Sequence, residues 1–221
     1  MNGPPEIAEA GADVDAALAR GVAALGLPLD AAQRAKLAHY LALLAKWNRT
    51  YNLTAIREPA RMVTHHVLDS LAVLPHLPKR DRVRVLDVGS GGGLPGVPIA
   101  IARPDWRVVL VDPNHKKAAF LTQAIIELSL RNASAHAARV EDLEAEAPFD
   151  VVISRAFADL ATFASTSGRH VEPGGALIAM KGAHPTEEIT EVPQSFAVTA
   201  VRSIAVPGLD ASRHLVVMER R

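Results

Sequence analysis

The 221-residue chain contains no cysteine, which excludes disulfides, thiolate zinc sites and enzymes with a cysteine nucleophile. No apolar run approaches the roughly 18 residues of a membrane helix. Met1 to Leu25 is acidic and alanine-rich, with neither a basic start nor an apolar centre, so a secretion signal is not expected. The sequence therefore predicts a cytoplasmic protein with no membrane association. It has no internal repeat. Net charge is missing too, because 24 basic residues cancel 24 acidic ones, and a uniformly basic nucleic-acid binder is excluded. What the chain does have is a 49% hydrophobic share, enough for one buried core and too much for disorder.

Charge is absent on average but not locally. Residues 41–80 carry 6 basic and 2 acidic residues, together with His65, His66 and His76. A patch of that kind can steer a polyanion although the whole molecule is neutral. The same stretch reads as helical. Residues 30–46 place Leu37, Tyr40, Leu41 and Leu44 at three- and four-residue spacings behind Asp30, a candidate N-cap. Pro59 to Leu74 carries Met62, Val63, His66, Val67, Ser70, Leu71 and Leu74 along one face, and the connector Trp47 to Ile56 is polar and aromatic. The residues before Asp30 suggest a further helix, interrupted by Gly21 and Gly26.

From Arg82 the texture changes to short valine-rich runs alternating with helical segments. Strands are expected near 83–88, 107–112, 133–137, 149–154 and 175–181, and helices near 95–103, 114–129, 141–145 and 158–171. The apolar VVLVD and VVIS predict strands buried on both faces of a parallel sheet. Two more strands, 196–206 and 213–219, have no helix between them, so they must pair antiparallel. The expected fold is α/β, a doubly wound, mainly parallel seven-stranded sheet with one reversed strand. It divides into 1–29, with no assigned role, a helical cap over 30–78, and the sheet domain over 79–221.

The phrase VRVLDVGSGGGLPGVPIAIA combines a strand, a glycine loop and a helix start. Glycines let the backbone turn sharply and press against a ligand. A dinucleotide fingerprint beginning at Gly89 fails, because its sixth position is Leu94; beginning at Gly91, residues Gly91, Gly93 and Gly96 do fit, further from the strand end. The other pattern, an acid followed by alternating glycines, is met by Asp87, Gly89, Gly91 and Gly93. It resembles motif I of the class I, Rossmann-like methyltransferases that use S-adenosylmethionine. Asp87 can accept from that cofactor's ammonium, and loop amides can donate to its carboxylate. Asp112, at the next strand tip, can accept from ribose hydroxyls. Dehydrogenases use the same device, so Asp112 does not discriminate between the two.

Within the methyltransferase reading, further absences narrow the acceptor. Pyrimidine C5 chemistry needs the missing cysteine. Exocyclic-amine methylation usually uses an Asn/Asp-Pro-Pro-aromatic turn, where this chain has Ser154-Arg155-Ala156-Phe157. Ring nitrogens, hydroxyls and small molecules remain. Guanine N7 has an in-plane lone pair and no proton to lose, so it needs alignment and desolvation but no general base.

Seven phrases point to one family: KWNRTYNLT (46–54), HHVLDSL (65–71), LDVGSGGGLPGVPIAI (86–101), ARVED (138–142), ISRAF (153–157), MKG (180–182) and RHLVV (213–217). Together they resemble the RsmG (glucose-inhibited division protein B) family, which methylates N7 of one guanine in bacterial 16S rRNA. The resemblance implies S-adenosylmethionine as cofactor and 16S rRNA, or the small ribosomal subunit, as partner. It implies that Gly89 and Leu94 lie against the cofactor, that Val140 and Glu141 bracket its adenine, and that Asp112 is the ribose acid. Arg155 would sit at the junction of cofactor and substrate. The segment Pro113-Asn114-His115-Lys116-Lys117 departs from the pattern, and residues before about 30 lie outside it.

Arg49, Arg57, Arg61, Lys116, Lys117, Lys181, Arg202 and Arg213 are candidate phosphate contacts, set against ordinary solvated positions. Arg155 is expected to orient the base, the alternative being a structural ion pair. Methyl transfer moves positive charge onto the purine, so Arg155 should be neutralised by a carboxylate or held off the base. His65 and His66 are adjacent on a helix and share no face, and no third ligand stands near Asp69, so no metal is expected. His65 reads as a cap or RNA-edge residue and His66 as packed. Trp47 and Tyr51 are either core or a stacking platform. A monomer is expected. The rival readings are a small-molecule methyltransferase, a nicotinamide-dependent dehydrogenase and a ribosome-assembly factor without enzymatic activity.

Overall fold

Asp30 and Gln33 open the cap with a reciprocal pair: the Gln33 amide donates to Asp30 Oδ1 at 2.7 Å and the Asp30 amide to Gln33 Oε1 at 2.9 Å. Two otherwise orphaned helix-start donors are thereby satisfied. The computed structural model describes the backbone of residues 5–221 and the side chains of residues 13–221; residues 1–4 of the N-terminal segment lie outside the described residues. Helix α1 (Pro5–Ala24) precedes α2 (Ala31–Tyr51). α2 runs past the expected end at 46 and absorbs Trp47 and Tyr51. Its last turn is tied down by Trp47 packing edge-on to Phe120 at 5.6 Å between ring centroids, and Asn52 ends it in the left-handed region at φ 49°. In α1, Leu18 and Val22 are buried in the same core as the cap. At about 1.5–3 kcal/mol for each fully buried aliphatic side chain, they anchor α1. Gly21 is where α1 touches the cap, since a Cβ there would lie 2.3 Å from Leu68 Cδ1.

The second cap helix starts as α3 (Pro59–Met62), widens into a π-helical segment (Val63–Leu68) and ends as α4 (Asp69–Leu71). It stops short of the expected Leu74. Its apolar face is also wider than the sequence pattern suggests, because Leu68, Asp69, Ala72 and Val73 are buried as well.

The sheet domain follows as β1 (Arg84–Val88), α5 (Gly96–Ala102), β2 (Arg107–Val111), α6 (His115–Glu127), β3 (Ala133–His136), β4 (Phe149–Arg155), α7 (Leu160–Ser167), β5 (Val171–Lys181), α8 (Thr186–Thr190), β6 (Phe196–Ser203) and β7 (His214–Arg220). The seven strands lie in the order β3-β2-β1-β4-β5-β7-β6. β7 is the reversed strand, antiparallel to both β5 and β6, as the missing crossover requires. The helix expected at 141–145 is a single 3-10 turn, Val140–Asp142, while α8 has no counterpart among the expected helices.

Strand alternation builds two cores. Val85, Val108, Leu110, Ile153 and Ile178 face the cap side; Leu86, Val88, Val109, Val111, Val152 and Leu177 face α7 and its 3-10 turns. The strand order reverses between β1 and β4, and that switch point opens a crevice at the carboxyl ends of the strands.

Candidate active site

β1 ends in a loop that turns left-handed three times, at Gly89 (φ 68°), Gly91 (φ 57°) and Gly93 (φ 87°). Gly89 is exposed, with nothing within 4 Å of a would-be Cβ, so the backbone is bare on its open side. Two buried acids brace the loop. Asp87 Oδ2 accepts the Gly96 amide at 2.9 Å at the start of α5. Asp112 accepts the Gly91 amide through Oδ2 and the Asn114 amide through Oδ1, each at 2.9 Å. Both Asp112 oxygens thus already fix the loop and the turn after β2, and any ribose hydroxyl would share them. The Gly91-Gly93-Gly96 register loses its anion site, because the Gly96 amide is directed at Asp87 rather than at a phosphate.

Asp87 Oδ1 is buried with no hydrogen-bond partner. Burial pushes the Asp87 carboxyl up to about 7, against the lowering influence of the Gly96 amide, the Ser90 hydroxyl and Arg155. A buried acceptor of this kind either keeps a proton or takes a cation as partner. On the face of the sheet reached by Val88 and Val111, the residues Val88, Gly89, Val111, Pro113, Ala138, Arg139, Val140, Glu141, Phe157, Thr162 and Thr166 line a mainly apolar cleft of about 270 Å³. An unpartnered carboxylate oxygen, a bare glycine backbone and an apolar slot fit an adenosyl amino acid such as S-adenosylmethionine. Gly89, Val140 and Glu141 are all on the wall of this cleft. Leu94 does not present its side chain, which is 4% exposed and packed into the core beneath the loop.

Arg155 closes β4. Its Nη1 donates to the His65 carbonyl at 3.0 Å and to Asp69 Oδ2 at 3.2 Å, while Arg213 Nε donates to Asp69 Oδ1 at 2.7 Å. The carboxylate neutralisation expected for Arg155 is therefore present, supplied by Asp69, a residue the sequence raised only as a metal ligand. Ala156 follows at φ 64°, a left-handed residue costing about 1–2 kcal/mol; Phe157, next in the chain, lines the cleft.

The cap reaches the same place from the other side. The Tyr40 hydroxyl donates to the Gly92 carbonyl, and burial holds its pKa well above the ordinary value. Asn48 Oδ1 accepts the Thr54 amide at 2.8 Å, and Thr54 Oγ1 lies 2.8 Å from His66 Nε2. His66 is packed, and desolvation followed by the Arg155 charge lowers its pKa to about 4. Tyr40, Asn48 and Thr54 had no signal beyond their places in apolar or family phrases.

The basic candidates divide. Arg49, Arg57, Arg61, Lys116 and Arg202 are exposed and Lys117 is half-buried. Lys181 is instead paired with Glu188 at 2.7 Å, and Arg213 is held by Asp69. His65 Nδ1 bonds the Arg61 carbonyl within the cap helix. Tyr51 is 41% exposed, with its ring 5.2 Å from that of Trp47. Among the described residues no cluster of His, Asp and Glu is arranged to hold a metal, and no helix is long and apolar enough to cross a membrane.

Known proteins share both the architecture and the sequence. TrmN from Thermus thermophilus superposes with a TM-score of 0.55 at 20% identity, over 69% of this chain and 48% of that one. A variant of MtNAS in complex with S-adenosylmethionine gives 0.58 at 15% identity, over 86% and 80%. These likenesses show the class I methyltransferase fold expected from the sequence. Ribosomal RNA small subunit methyltransferase G of Nitrosospira multiformis is 54% identical over 210 residues, covering 92% of this chain and 96% of the relative. That of Laribacter hongkongensis is 52% identical over 204 residues, covering 92% and 97%. The family model for rRNA small subunit methyltransferase G matches residues 33–216. With the glycine loop, both strand-tip acids and all but the first residues of the cap inside that match, the chain belongs to the rRNA small subunit methyltransferase G family.

Proposed function

We propose that this protein transfers the methyl group of S-adenosylmethionine to N7 of a guanine in 16S rRNA. The observation that carries the reading is the unpartnered Asp87 Oδ1 at the glycine loop, in a chain that belongs to a family of rRNA methyltransferases. The cofactor, when bound, supplies an electrophilic methyl on a sulfonium.

The chain's own groups bind and orient. Asp87 receives the ammonium, and the amides around Gly89, Gly91 and Gly93 receive the carboxylate. Asp112 shares its oxygens with the ribose. Val140, Glu141, Pro113 and Phe157 enclose the adenine. Arg155 orients the incoming base, and Leu94 acts through its backbone. No residue moves a proton, since the N7 lone pair is free. Tyr40 is held protonated by burial and His66 neutral near pH 7, so neither adds charge beside the reacting atoms. The target base must leave its stack to reach the methyl. The exposed Arg49, Arg57, Arg61, Lys116 and Arg202 meet the RNA backbone, and the exposed Tyr51 offers a stacking face.

The test is to map N7-methylguanine in 16S rRNA from cells with and without the gene, and to follow labelled methyl incorporation into small subunits from the deleted strain. One site should lose its mark on deletion and regain it with purified protein. Identical rRNA in both strains, with no incorporation, would refute the assignment.

A further inference from the structure

The Arg155–Asp69–Arg213 cluster bears on how methyl transfer is assisted, and its role rests on the reaction proposed above. We propose that Asp69 is a positioning residue for methyl transfer, setting both the place and the effective charge of Arg155, with Arg213 as the arm that fixes Asp69.

The cap is shaped for this. In a regular α-helix the Asp69 amide would bond the His65 carbonyl; here it bonds the carbonyls of Thr64 and His66, the former being the i−5 partner of a π turn. Arg155 Nη1 takes the His65 carbonyl instead, at 3.0 Å. The same widened turn carries the Asp69 carboxylate to Nη1 at 3.2 Å. One local irregularity therefore supplies two acceptors to one guanidinium nitrogen, and π turns of this sort occur frequently at functional sites. Asp69 is nearly fully buried, with a side-chain exposure of 3%, whereas Arg155 and Arg213 are each 23% exposed. The carboxylate is thus a fixed point and the guanidinium groups retain an open edge.

Charge gives the arrangement its purpose. The Arg155 charge reaches Asp87, Tyr40 and His66, so it acts on the whole site. During methyl transfer positive charge passes to the purine ring, and an unbalanced guanidinium nearby would oppose this. With Asp69 in place, two guanidinium groups and one carboxylate carry a single net positive charge. Without it they carry two. A purely structural ion pair would not require the number of charges to be conserved.

The experiment compares the full-length protein with Asp69→Asn and with Asp69→Asn/Arg213→Gln, which restores the single net charge. It measures kcat and KM for small subunits and the Kd for S-adenosylmethionine. At about pH 8, where Asp87 is already ionised, Asp69→Asn should lower kcat at least about tenfold, equivalent to about 1.4 kcal/mol, with cofactor Kd changed less than about twofold. The double variant should have a higher kcat than the single one. A single variant with wild-type kcat, or a double variant no better than the single at equal Tm, overturns the proposal. If Asp69→Asn does not fold, Asp69→Glu takes its place: an intact carboxylate displaced by one methylene should lower kcat with cofactor Kd unchanged, and an unchanged kcat overturns the proposal. Wild-type protein inactive on subunits from the deletion strain would instead count against the assigned reaction, so the two failures are distinguishable.

Discussion

The Gly96 amide donates to Asp87 Oδ2 at 2.9 Å and so leaves Oδ1, on the same buried carboxylate, without a partner. One half of Asp87 holds the loop to α5, and the other is a buried acceptor with no donor.

Because burial raises Asp87 to about 7 from 3.8, its proton is held more tightly in the folded protein than in the unfolded one. Its contribution to stability is present below 3.8 and lost as pH rises to about 7. Cofactor binding runs the other way, since an ammonium prefers the ionised carboxyl. Affinity for S-adenosylmethionine should rise about tenfold per pH unit approaching 7 and fall again above about 8, where an α-amino group loses its proton. Asp87→Asn should flatten the profile and weaken binding at neutral pH without lowering the Tm of the free protein. Calorimetric titration across this range checks it, and a pH-independent wild-type Kd would contradict it.

Gly89 and Gly96 should respond differently to alanine. At Gly89 a Cβ meets nothing within 4 Å but sits at φ 68°, so Gly89→Ala should cost about 1–2 kcal/mol of stability while crowding the cleft and sharply weakening cofactor binding. At Gly96 a Cβ would lie 2.2 Å from Leu110 Cδ2 and 2.7 Å from Asp87 Oδ2. Gly96→Ala should therefore cost about 1–3 kcal/mol or more through overpacking. Urea denaturation measures both, and a Gly96→Ala protein as stable as the wild type would be inconsistent with the packing.

The basic residues predict a split in salt dependence. Removing any one of the exposed Arg49, Arg57, Arg61, Lys116 or Arg202 that contacts phosphate should reduce the slope of log affinity against log salt by about 0.7–0.9. Lys181→Met should leave that slope unchanged, because Lys181 is paired with Glu188 at 2.7 Å. RNA binding measured over a salt series decides between the groups; a reduced slope for Lys181→Met would show that its pair opens on RNA.

His66 should set an acid limit on stability. With its pKa lowered to about 4 from 6.5, the unfolded chain takes up the proton first, so the contribution of His66 is complete above 6.5 and lost as pH falls toward 4. Replacing it with glutamine, which can still meet Thr54, should shrink the fall in urea midpoint between those limits. A fall of the same size in wild type and variant would remove His66 as the cause.

The sheet was readable because most of its strands are local apolar runs, the half-exposed β3 (ASAH) being the exception, and the pairing of β6 with β7 followed from a loop too plain for a crossover. The glycine loop was readable because acid and glycines stand within seven residues, Asp87 to Gly93. The cap was less so. A π turn has no periodic signature, and a helix buried on several sides blurs the face that periodicity would show, as Leu68 and Asp69 do here. The role of Asp69 was hidden for another reason: its partners lie 86 and 144 residues away, on separate elements that only the folded chain brings together. Leu94 shows the converse, a residue of a family phrase whose side chain packs into the core.

Since β7 inserts between β5 and β6 although it follows both in the chain, neither of those strands has its inner neighbour while translation is still short of residue 214. A nascent chain would expose two unsatisfied edges, and Arg213, at the doorway to β7, would not yet have locked the cap. Premature termination anywhere before that point should therefore leave β5 and β6 without the strand that joins them.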